Sequence, residues 1–357
     1  MPLSVKKKKV LFFIPPYVGG AEKVTITIYK LLKDYDIEKK FVIVGKNRGD
    51  IENLIPEKEN IIFLKARNIW DFVTFKIIKI IIQERPTLLF SSLHYLSLRV
   101  ILASKLFKNV KAIIRSDNYL KAYRWSSCLQ MKMLYPWADT LIAQQEEMYE
   151  EMMNVYKKIN PNVNIVCIHN PLDIESINRL KDAENPYNKT DGTKYVWIAR
   201  YHRVKGQDVL VKAFKELHER KPTAHLYLIG KIEANNEFIK EIRDFIIDNG
   251  LIECIHMIGF DKNPYKWIKH CDCFVLPSRL EGLPNSLIEA MYLGKPVVAT
   301  KCIPIISRIV EDGYNGLLVD SEDYISMAKA MEEAIKLKDY KPTYEPSSMV
   351  DFIKIFD

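Results

Sequence analysis

This chain of 357 residues contains no run of eighteen or more apolar residues, so its sequence predicts no transmembrane helix. Its first residues, MPLSVKKKKVLFFIPP, are basic and then apolar, but they lack a small-residue cleavage site. We interpret them as a basic leader followed by a buried first strand. The expected location is the cytoplasm, including the inner face of a membrane.

Two cofactor motifs are also missing. The loop after the first apolar run reads PPYVGGAE, which departs from the G-x-G-x-x-G dinucleotide fingerprint and argues against a nicotinamide enzyme. The Asp-x-Asp spacing occurs as Asp34-Tyr35-Asp36, at a helix end before the second strand, where it cannot serve a site at the strand ends. We therefore expect no metal and no other bound cofactor.

Cysteine forms no recognisable site either. Of the six cysteines, only Cys271 and Cys273 are close together in the chain, and no second pair completes a zinc site. We expect the cysteines to be small buried apolar side chains in a reducing compartment.

Positive charge is in excess without being concentrated in one segment. A formal net charge of +8 fits nucleotide phosphates or anionic lipid as partners. No nucleic-acid-binding module is recognisable, so nucleic acid is not an expected partner.

Short apolar runs alternate with helical patterns along most of the chain. Seven such runs occur between Val10 and His169, and six more between Tyr195 and Val319. Near-continuous apolar strands separated by helices predict an α/β protein with two doubly wound parallel sheets. Ligands of such sheets bind outside the carboxyl ends of the strands.

The most informative stretch is LPSRLEGLPNSLIEAM, residues 276–291, where an apolar run meets a helical pattern. Pro284 suits the first turn of a helix, and Asn285 and Ser286 are good capping residues. The free backbone N–H groups of this helix would favour a phosphate above the strand.

Two glutamates, Glu281 and Glu289, bracket this turn at a spacing of eight residues. Glu281 would stand in the loop and Glu289 one turn inside the helix, where a carboxylate needs a hydroxyl or a cation as its partner. The alternative interpretation is a helix cap with one buried, salt-bridged carboxylate.

A second charged turn follows the first apolar run of the second half and reads ARYHRVKG, residues 199–206. Arg200 and Lys205 place two fixed positive charges just before a helix, an arrangement suited to a diphosphate. Taken alone, a solvated basic turn is the better explanation.

Together these turns resemble the A-R-x4-K-G and E-x7-E motifs of glycosyl transferase group 1, also called family 4, whose members are retaining enzymes. The match along SRLEGLPNSLIEAMYLGKPVVAT extends over about two dozen residues. The resemblance is strong from Val196 to Val319 and weaker before that. It implies the GT-B fold, in which two Rossmann-like domains face each other across a cleft.

The resemblance also implies domain boundaries and roles for site residues. It predicts an acceptor-side domain at residues 1–175, a linker at 176–193, a nucleotide-sugar-binding domain at 194–338, and a tail at 339–357 that returns to the first domain. Expected catalytic residues are Glu281, His94, Arg200 and Lys205. Expected donor contacts are Gly19, Gly20, Phe260, Gly282, Leu283, Pro284, Asn285 and Glu289, and expected acceptor contacts are Arg115 and Asp117.

The expected activity is transfer of a sugar from a nucleotide diphosphate sugar, UDP first and GDP second, to a glycan or lipid-linked acceptor in glycoconjugate or surface polysaccharide synthesis. The resemblance implies retention of anomeric configuration. Two alternatives stay open, a nucleotide-sugar epimerase of the same fold and a non-catalytic subunit of a glycan-assembly complex.

Two stretches mix aromatic or aliphatic residues with cations, as at a membrane interface. We interpret Trp70–Ile82 as a buried helix, since its isoleucine density suits a core. For Lys121–Trp137 a membrane contact and a packed helix with solvated lysines are equally compatible with the sequence.

Overall fold

The computed structural model describes residues 8–66, 71–187, 190–233, 235–337 and 349–356. The chain divides into two compact units, one of Met1–Leu172 with Pro346–Asp357 and one of Asp173–Glu345. The expected leader residues 1–7, Trp70 and residues 338–348 of the expected tail lie outside the described residues.

The first unit is a parallel sheet of seven strands with helices between them. The strands are β1 (Lys8–Ile14), β2 (Ile37–Gly45), β3 (Ile61–Lys65), β4 (Leu88–Ser91), β5 (Lys111–Arg115), β6 (Thr140–Ala143) and β7 (Asn164–Cys167), in the spatial order β3-β2-β1-β4-β5-β6-β7. The helices are α1 (Gly20–Leu31), α2 (Val73–Glu84), α3 (His94–Ser104), α4 (Trp125–Leu134) and α5 (Glu146–Tyr156). Because every pair is parallel, all carboxyl ends lie at one edge of the sheet.

The second unit repeats this arrangement with six strands. They are β8 (Lys194–Ile198), β9 (His225–Ile229), β10 (Ile255–Gly259), β11 (Cys273–Leu276), β12 (Val297–Thr300) and β13 (Gly316–Val319), in the order β10-β9-β8-β11-β12-β13. The helices are α6 (Ile174–Leu180), α7 (Gln207–Arg220), α8 (Glu237–Asp248), α9 (Pro264–His270), α10 (Asn285–Tyr292), α11 (Pro304–Ile309) and α12 (Tyr324–Ala334). The α/β doubly wound prediction is confirmed for both halves.

The core of the first unit is aromatic, and the last helix of the chain completes it. Phe12 in β1 contacts the rings of Phe41 and Phe90 at centroid distances of 5.7 and 5.2 Å. Helix α13 (Met349–Phe356) adds Phe356, whose ring lies 5.9 Å from that of Phe12. The end of the chain is therefore part of the first unit.

Helix α6 was not visible in the apolar pattern. The segment interpreted as a linker contains most of α6, which begins where Asp173 accepts a hydrogen bond from the Ser176 backbone at 3.0 Å. Its seven residues are too few to show a helical period. The cysteine prediction holds for Cys254, Cys271 and Cys273, whereas the remaining three thiols are only partly buried.

Candidate functional site

The two charged turns of the second unit meet because their strands are neighbours. Strand β8 pairs with β11, so the turn 199–206 and the loop that begins at Pro277 leave the same edge of the sheet side by side. The sequence could place each turn after a strand, but it could not show that these two strands are adjacent.

Gly206 allows the closest approach between the two turns. Its φ is +69°, and a Cβ atom at this position would lie 1.9 Å from the carbonyl oxygen of Pro277. Any other residue would therefore be strained and would also push the two turns apart.

We expect Gly206→Ala to destabilise the second unit by more than the strain alone. A positive φ costs an alanine about 1–2 kcal/mol, and the contact with Pro277 adds to this. Gly250→Ala is the matched control, since its φ is +68° and nothing lies within 4 Å of the added Cβ. The check is the melting temperature of both variants, with roughly 2–4 °C expected per kcal/mol. Equal losses in the two variants would contradict a steric role for the contact.

Arg279 ties the same turns together through its side chain. Its Nη1 and Nη2 donate to the two carboxylate oxygens of Asp208 at 2.8 and 2.7 Å, and its Nε donates to Glu322. Hydrogen bonds to Asp208 and Glu322 raise the pKa of Arg279. At Asp208, burial raises the pKa of the carboxyl, but the hydrogen bonds and the charge of the Arg279 guanidinium lower it, and the net shift of that pKa is downward. Arg279 has no predicted role in the sequence, since a lone arginine in a loop carries no signal.

Lys205 and Glu281 form a direct ion pair between the turns. Lys205 Nζ lies 2.7 Å from both carboxylate oxygens of Glu281, and Ser278 Oγ donates to one of them at 2.7 Å. Glu281 is only 7% exposed. The carboxylate of Glu281 is thus held inside the loop by a lysine and a hydroxyl, which agrees with the alternative interpretation of a buried, salt-bridged carboxylate. The sequence did not indicate that its cation is Lys205.

Arg200 differs from Lys205 in being exposed. Its carbonyl accepts a hydrogen bond from Gln207 Nε2 at 2.8 Å, while its guanidinium has no partner within the part of the chain that the structure describes. Arg203, three residues later, is engaged elsewhere and lies 2.6 Å from Glu241. Of the two arginines, only Arg200 keeps its charge available to a ligand at this edge.

Helix α10 begins at Asn285, as the sequence predicts, but it is not capped as predicted. Pro284 is the N-cap residue rather than a first-turn residue, and no side chain caps the helix, so the predicted capping by Asn285 and Ser286 is wrong. Glu289 is half-buried, as predicted, and is hydrogen-bonded to Tyr265, whose pKa is raised by burial and by this carboxylate. Gly282, Leu283 and Pro284 are buried in the loop before the helix.

Phe260 follows the end of β10 and is 48% exposed. The strand ends beside it are closely packed, since a Cβ atom on Gly230 would lie 2.1 Å from the carbonyl oxygen of Ala199. Gly230 N also donates to Gly259 O at 2.9 Å. An exposed aromatic ring at this edge can stack on a flat ligand such as a nucleobase.

In the first unit, His94 and Asp117 converge on one tyrosine. Tyr123 donates a hydrogen bond to Asp117, and its ring lies 5.0 Å from the imidazole of His94. Burial lowers the pKa of His94, with Asp117 opposing, and burial raises the pKa of Asp117. The environment thus favours a neutral imidazole that can exchange hydrogen bonds with a hydroxylated ligand.

Arg115 is buried, so its side chain cannot contact an acceptor directly. It is 1% exposed, and its Nε donates to Asn170 Oδ1 at 3.1 Å. Asn170 in turn donates to Gln144 Oε1 at 3.0 Å, and Gln144 donates to the carbonyl of Ser116 at 2.6 Å. Burial lowers the pKa of Arg115 to about 10. We therefore reassign Arg115 from acceptor contact to a positioning residue of the strand ends.

The glycine pair opens α1, as its sequence indicated. Gly19 is the N-cap residue and Gly20 the first residue of the helix. A Cβ atom on Gly19 would lie 2.5 Å from a carboxylate oxygen of Glu22, which is buried. Glycine at position 19 thus leaves space for that carboxylate beside the helix start.

Helix α4 and the turn that follows it carry an exposed apolar stripe. Trp125, Leu129, Met133 and Trp137 are 79, 45, 61 and 52% exposed and follow one another at intervals of four residues. Met131 is the only buried residue of α4. In α2 the predicted burial is only partly correct, because Phe72, Phe75 and Ile82 are exposed.

No helix within the described residues is long and apolar enough to cross a membrane. None of the candidate donor residues belongs to a group of three potential metal ligands within that part of the chain.

Comparison with known proteins places the second unit in a family. Residues 179–346 match the family described as glycosyl transferases group 1. An uncharacterized glycosyltransferase of Methanocaldococcus jannaschii is 32% identical over 302 residues, covering 77% of this chain and 72% of that one. The chain belongs to the glycosyl transferase group 1 family.

Two further relatives give this glycosyltransferase a structural and chemical context. HepE of Anabaena, solved in complex with UDP-glucose, superposes with a TM-score of 0.76 at 19% identity and covers 92% of this chain and 90% of that one. This likeness shows the GT-B fold. The N-acetylgalactosamine-N,N'-diacetylbacillosaminyl-diphospho-undecaprenol 4-alpha-N-acetylgalactosaminyltransferase of Campylobacter jejuni is 25% identical over 216 residues, 60% of this chain and 56% of that one.

Proposed function

We propose that this glycosyltransferase moves a sugar from a UDP-sugar, with a GDP-sugar as second choice, to a glycan or lipid-linked acceptor in glycoconjugate or surface polysaccharide synthesis. We propose retention of configuration and no catalytic metal. The UDP-glucose complex of HepE and the diphospho-undecaprenol substrate in the name of the Campylobacter relative support this choice of donor and acceptor.

The contact of Lys205 with Glu281 is the observation that carries the proposal. Two motifs separated by 76 positions are brought within 2.7 Å at the carboxyl edge of a parallel sheet. Lys205 and the exposed Arg200 would bind the diphosphate, assisted by backbone N–H groups at the start of α10. A diphosphate that attracts Lys205 would release the carboxylate of Glu281 for hydroxyls of the donor sugar.

The remaining assignments rest on the resemblance and on local placement. Glu289 would bind the ribose hydroxyls, and the exposed ring of Phe260 would stack on the base. His94 would orient the donor sugar, with Gly19 and Gly20 permitting close approach to the backbone. Asp117 would contact the acceptor.

A screen of nucleotide sugars tests the proposal. Each UDP- and GDP-sugar is scored for thermal stabilisation of the protein and for release of the nucleoside diphosphate. We expect one donor to stabilise the protein and to be consumed. If the donor is epimerised in the absence of an acceptor, the protein is an epimerase rather than a transferase. If a donor stabilises the protein but is not turned over with any acceptor, the protein is a non-catalytic subunit.

Chelation should leave turnover nearly intact. Two cations and a helix start supply the positive charge that a metal supplies in other enzymes. The measurement is the initial rate at 25 °C before and after EDTA treatment and dialysis. Loss of activity that Mg²⁺ or Mn²⁺ restores would contradict metal-independent catalysis.

We also propose that α4 and its flanks contact an anionic membrane surface. Two cations adjoin the apolar stripe of α4 in the sequence, since Arg124 and Lys132 directly precede two of its members. A third cation, Lys121, lies just before the helix. The three cations are exposed. Aromatic side chains suit the interfacial region, and each cation near such a surface contributes about 1 kcal/mol.

Liposome co-sedimentation checks the membrane contact. The Lys121/Arg124/Lys132→Ala variant should lose most of its binding to anionic vesicles, and wild-type binding should weaken with salt because the attraction is screened over a Debye length of about 8–10 Å. The matched control is Lys212/Lys240/Lys329→Ala, which removes three exposed charges from the second unit. Equal loss in both variants, or binding to neutral vesicles alone, would refute a specific surface.

A further inference from the structure

Three side chains with metal-binding atoms meet at the edge of the first sheet. Glu146 is the first residue of α5, Cys167 is the last residue of β7, and His169 follows two residues later. Their carboxylate oxygen, sulfur and imidazole nitrogen all lie within 4.8 Å of one another. His169 Nε2 is 3.2 Å from Glu146 Oε1. No other such group of three occurs among the described residues.

The backbone holds these three positions together. Cys167 pairs with Ala143 in the parallel register of β7 and β6, and the next residue, Ile168, donates its backbone N–H to Ala143 O at 2.9 Å. Ile168 is buried in the core of the unit. Because side chains alternate along an extended segment, Cys167 and His169 face the same side, toward the start of α5.

The chemistry of the three ligands is selective. Thiolate and imidazole favour zinc over magnesium or calcium, which prefer oxygen ligands. Zinc–ligand bonds of about 2.0–2.3 Å place tetrahedral ligand atoms about 3.3–3.8 Å apart. The 3.2 Å between His169 Nε2 and Glu146 Oε1 is already close to that spacing, and the sulfur of Cys167 lies within 4.8 Å of both atoms.

The local charge also favours a cation. Helix α5 carries Glu146, Glu147, Glu150 and Glu151 within six residues, although the chain as a whole has a net charge of +8.

We propose that Glu146, Cys167 and His169 bind one Zn²⁺ ion, with water as the fourth ligand. Binding breaks the S–H bond of Cys167, releases that proton to solvent and forms a sulfur–zinc bond, with no change of oxidation state. The ion would fasten the start of α5 to the end of β7.

This site is separate from the proposed glycosyl transfer, which uses no metal. Zn²⁺ is expected to raise the melting temperature of the protein without changing the initial rate at 25 °C. Failure of the donor screen would leave the zinc proposal intact, and failure of zinc binding would leave the transfer proposal intact.

The test uses the full chain with Zn²⁺ and Co²⁺ as probes. Calorimetry should give one Zn²⁺ per chain, with an enthalpy that depends on the buffer because one proton is released. Co²⁺ should give a sulfur-to-cobalt charge-transfer band. Cys167→Ser should abolish the band and, with His169→Gln and Glu146→Gln, weaken Zn²⁺ binding by more than about a hundredfold, beyond the effect of outer-shell changes.

Two matched variants separate the site from general effects. Cys128→Ser alters another partly buried thiol, and Glu150→Gln removes a charge one turn along α5. Both should bind Zn²⁺ like the wild type, and circular dichroism should show that all variants are folded. A missing charge-transfer band, or Zn²⁺ affinity that Cys167→Ser leaves unchanged, would overturn the proposal.

Discussion

Replacing Lys205 by alanine is expected to lower kcat/KM by roughly tenfold to a hundredfold or more. A charge-assisted hydrogen bond to a diphosphate contributes about 1.5–3 kcal/mol, and about 1.4 kcal/mol corresponds to a factor of ten. Arg200→Ala should lose a similar amount, since its guanidinium is exposed at the same turn. Steady-state kinetics with the donor found in the screen provides the measurement.

Arg203→Ala is the matched control for both variants. Arg203 belongs to the same turn, but its guanidinium contacts Glu241 and lies 5.0 Å from the ring centre of Phe238. We therefore expect near wild-type kinetics. Lys205→Ala also leaves Glu281 without its cation, so melting temperatures are needed to separate binding from stability. Wild-type kcat/KM in both Lys205→Ala and Arg200→Ala would remove the diphosphate assignment.

Secondary structure was predictable where an apolar run stands between clear polar turns. Strands β4, β5 and β6 have the bounds that the sequence predicts, because each is a near-continuous apolar run between polar turns. Helices α6 and α11, of seven and six residues, were not predicted, although α9, also of seven residues, was. Helix α6 has a side-chain cap, whereas α11 has none and depends on the packing of its isoleucines.

The candidate site was predictable as two turns but not as a set of contacts. Residues Arg200 and Lys205 are marked by a motif, and so is Glu281. Their pairing depends on β8 being the neighbour of β11, which no local pattern encodes. The same reason explains why the burial of Arg115 was not predicted, since its hydrogen-bond partner Asn170 lies 55 positions later in the chain. The stripe of α4 did have a signal in the sequence, because Trp125, Leu129, Met133 and Trp137 follow one another at intervals of four residues.

The ion pair gives Glu281→Gln an unusual expected result, in which binding and turnover change in opposite directions. The carboxylate partly neutralises Lys205, since its oxygens lie 2.7 Å from the ammonium. Glutamine keeps the shape of the side chain but removes the charge, so Lys205 becomes a stronger partner for a diphosphate. The dissociation constant for UDP should therefore fall several-fold.

Turnover of the same variant should fall, because Glu281 is proposed to bind hydroxyls of the donor sugar. This contact should strengthen as positive charge develops on the sugar in the transition state. Losing a charge-assisted hydrogen bond of about 1.5–3 kcal/mol lowers kcat by roughly tenfold to a hundredfold. Calorimetry with UDP and steady-state kinetics measure the two effects separately. Glu322→Gln is the control, since Glu322 contacts Arg279 in the same region but is exposed and has no proposed contact with the donor. A Glu281→Gln variant that binds UDP more weakly and turns over normally would show that the carboxylate only supports the loop.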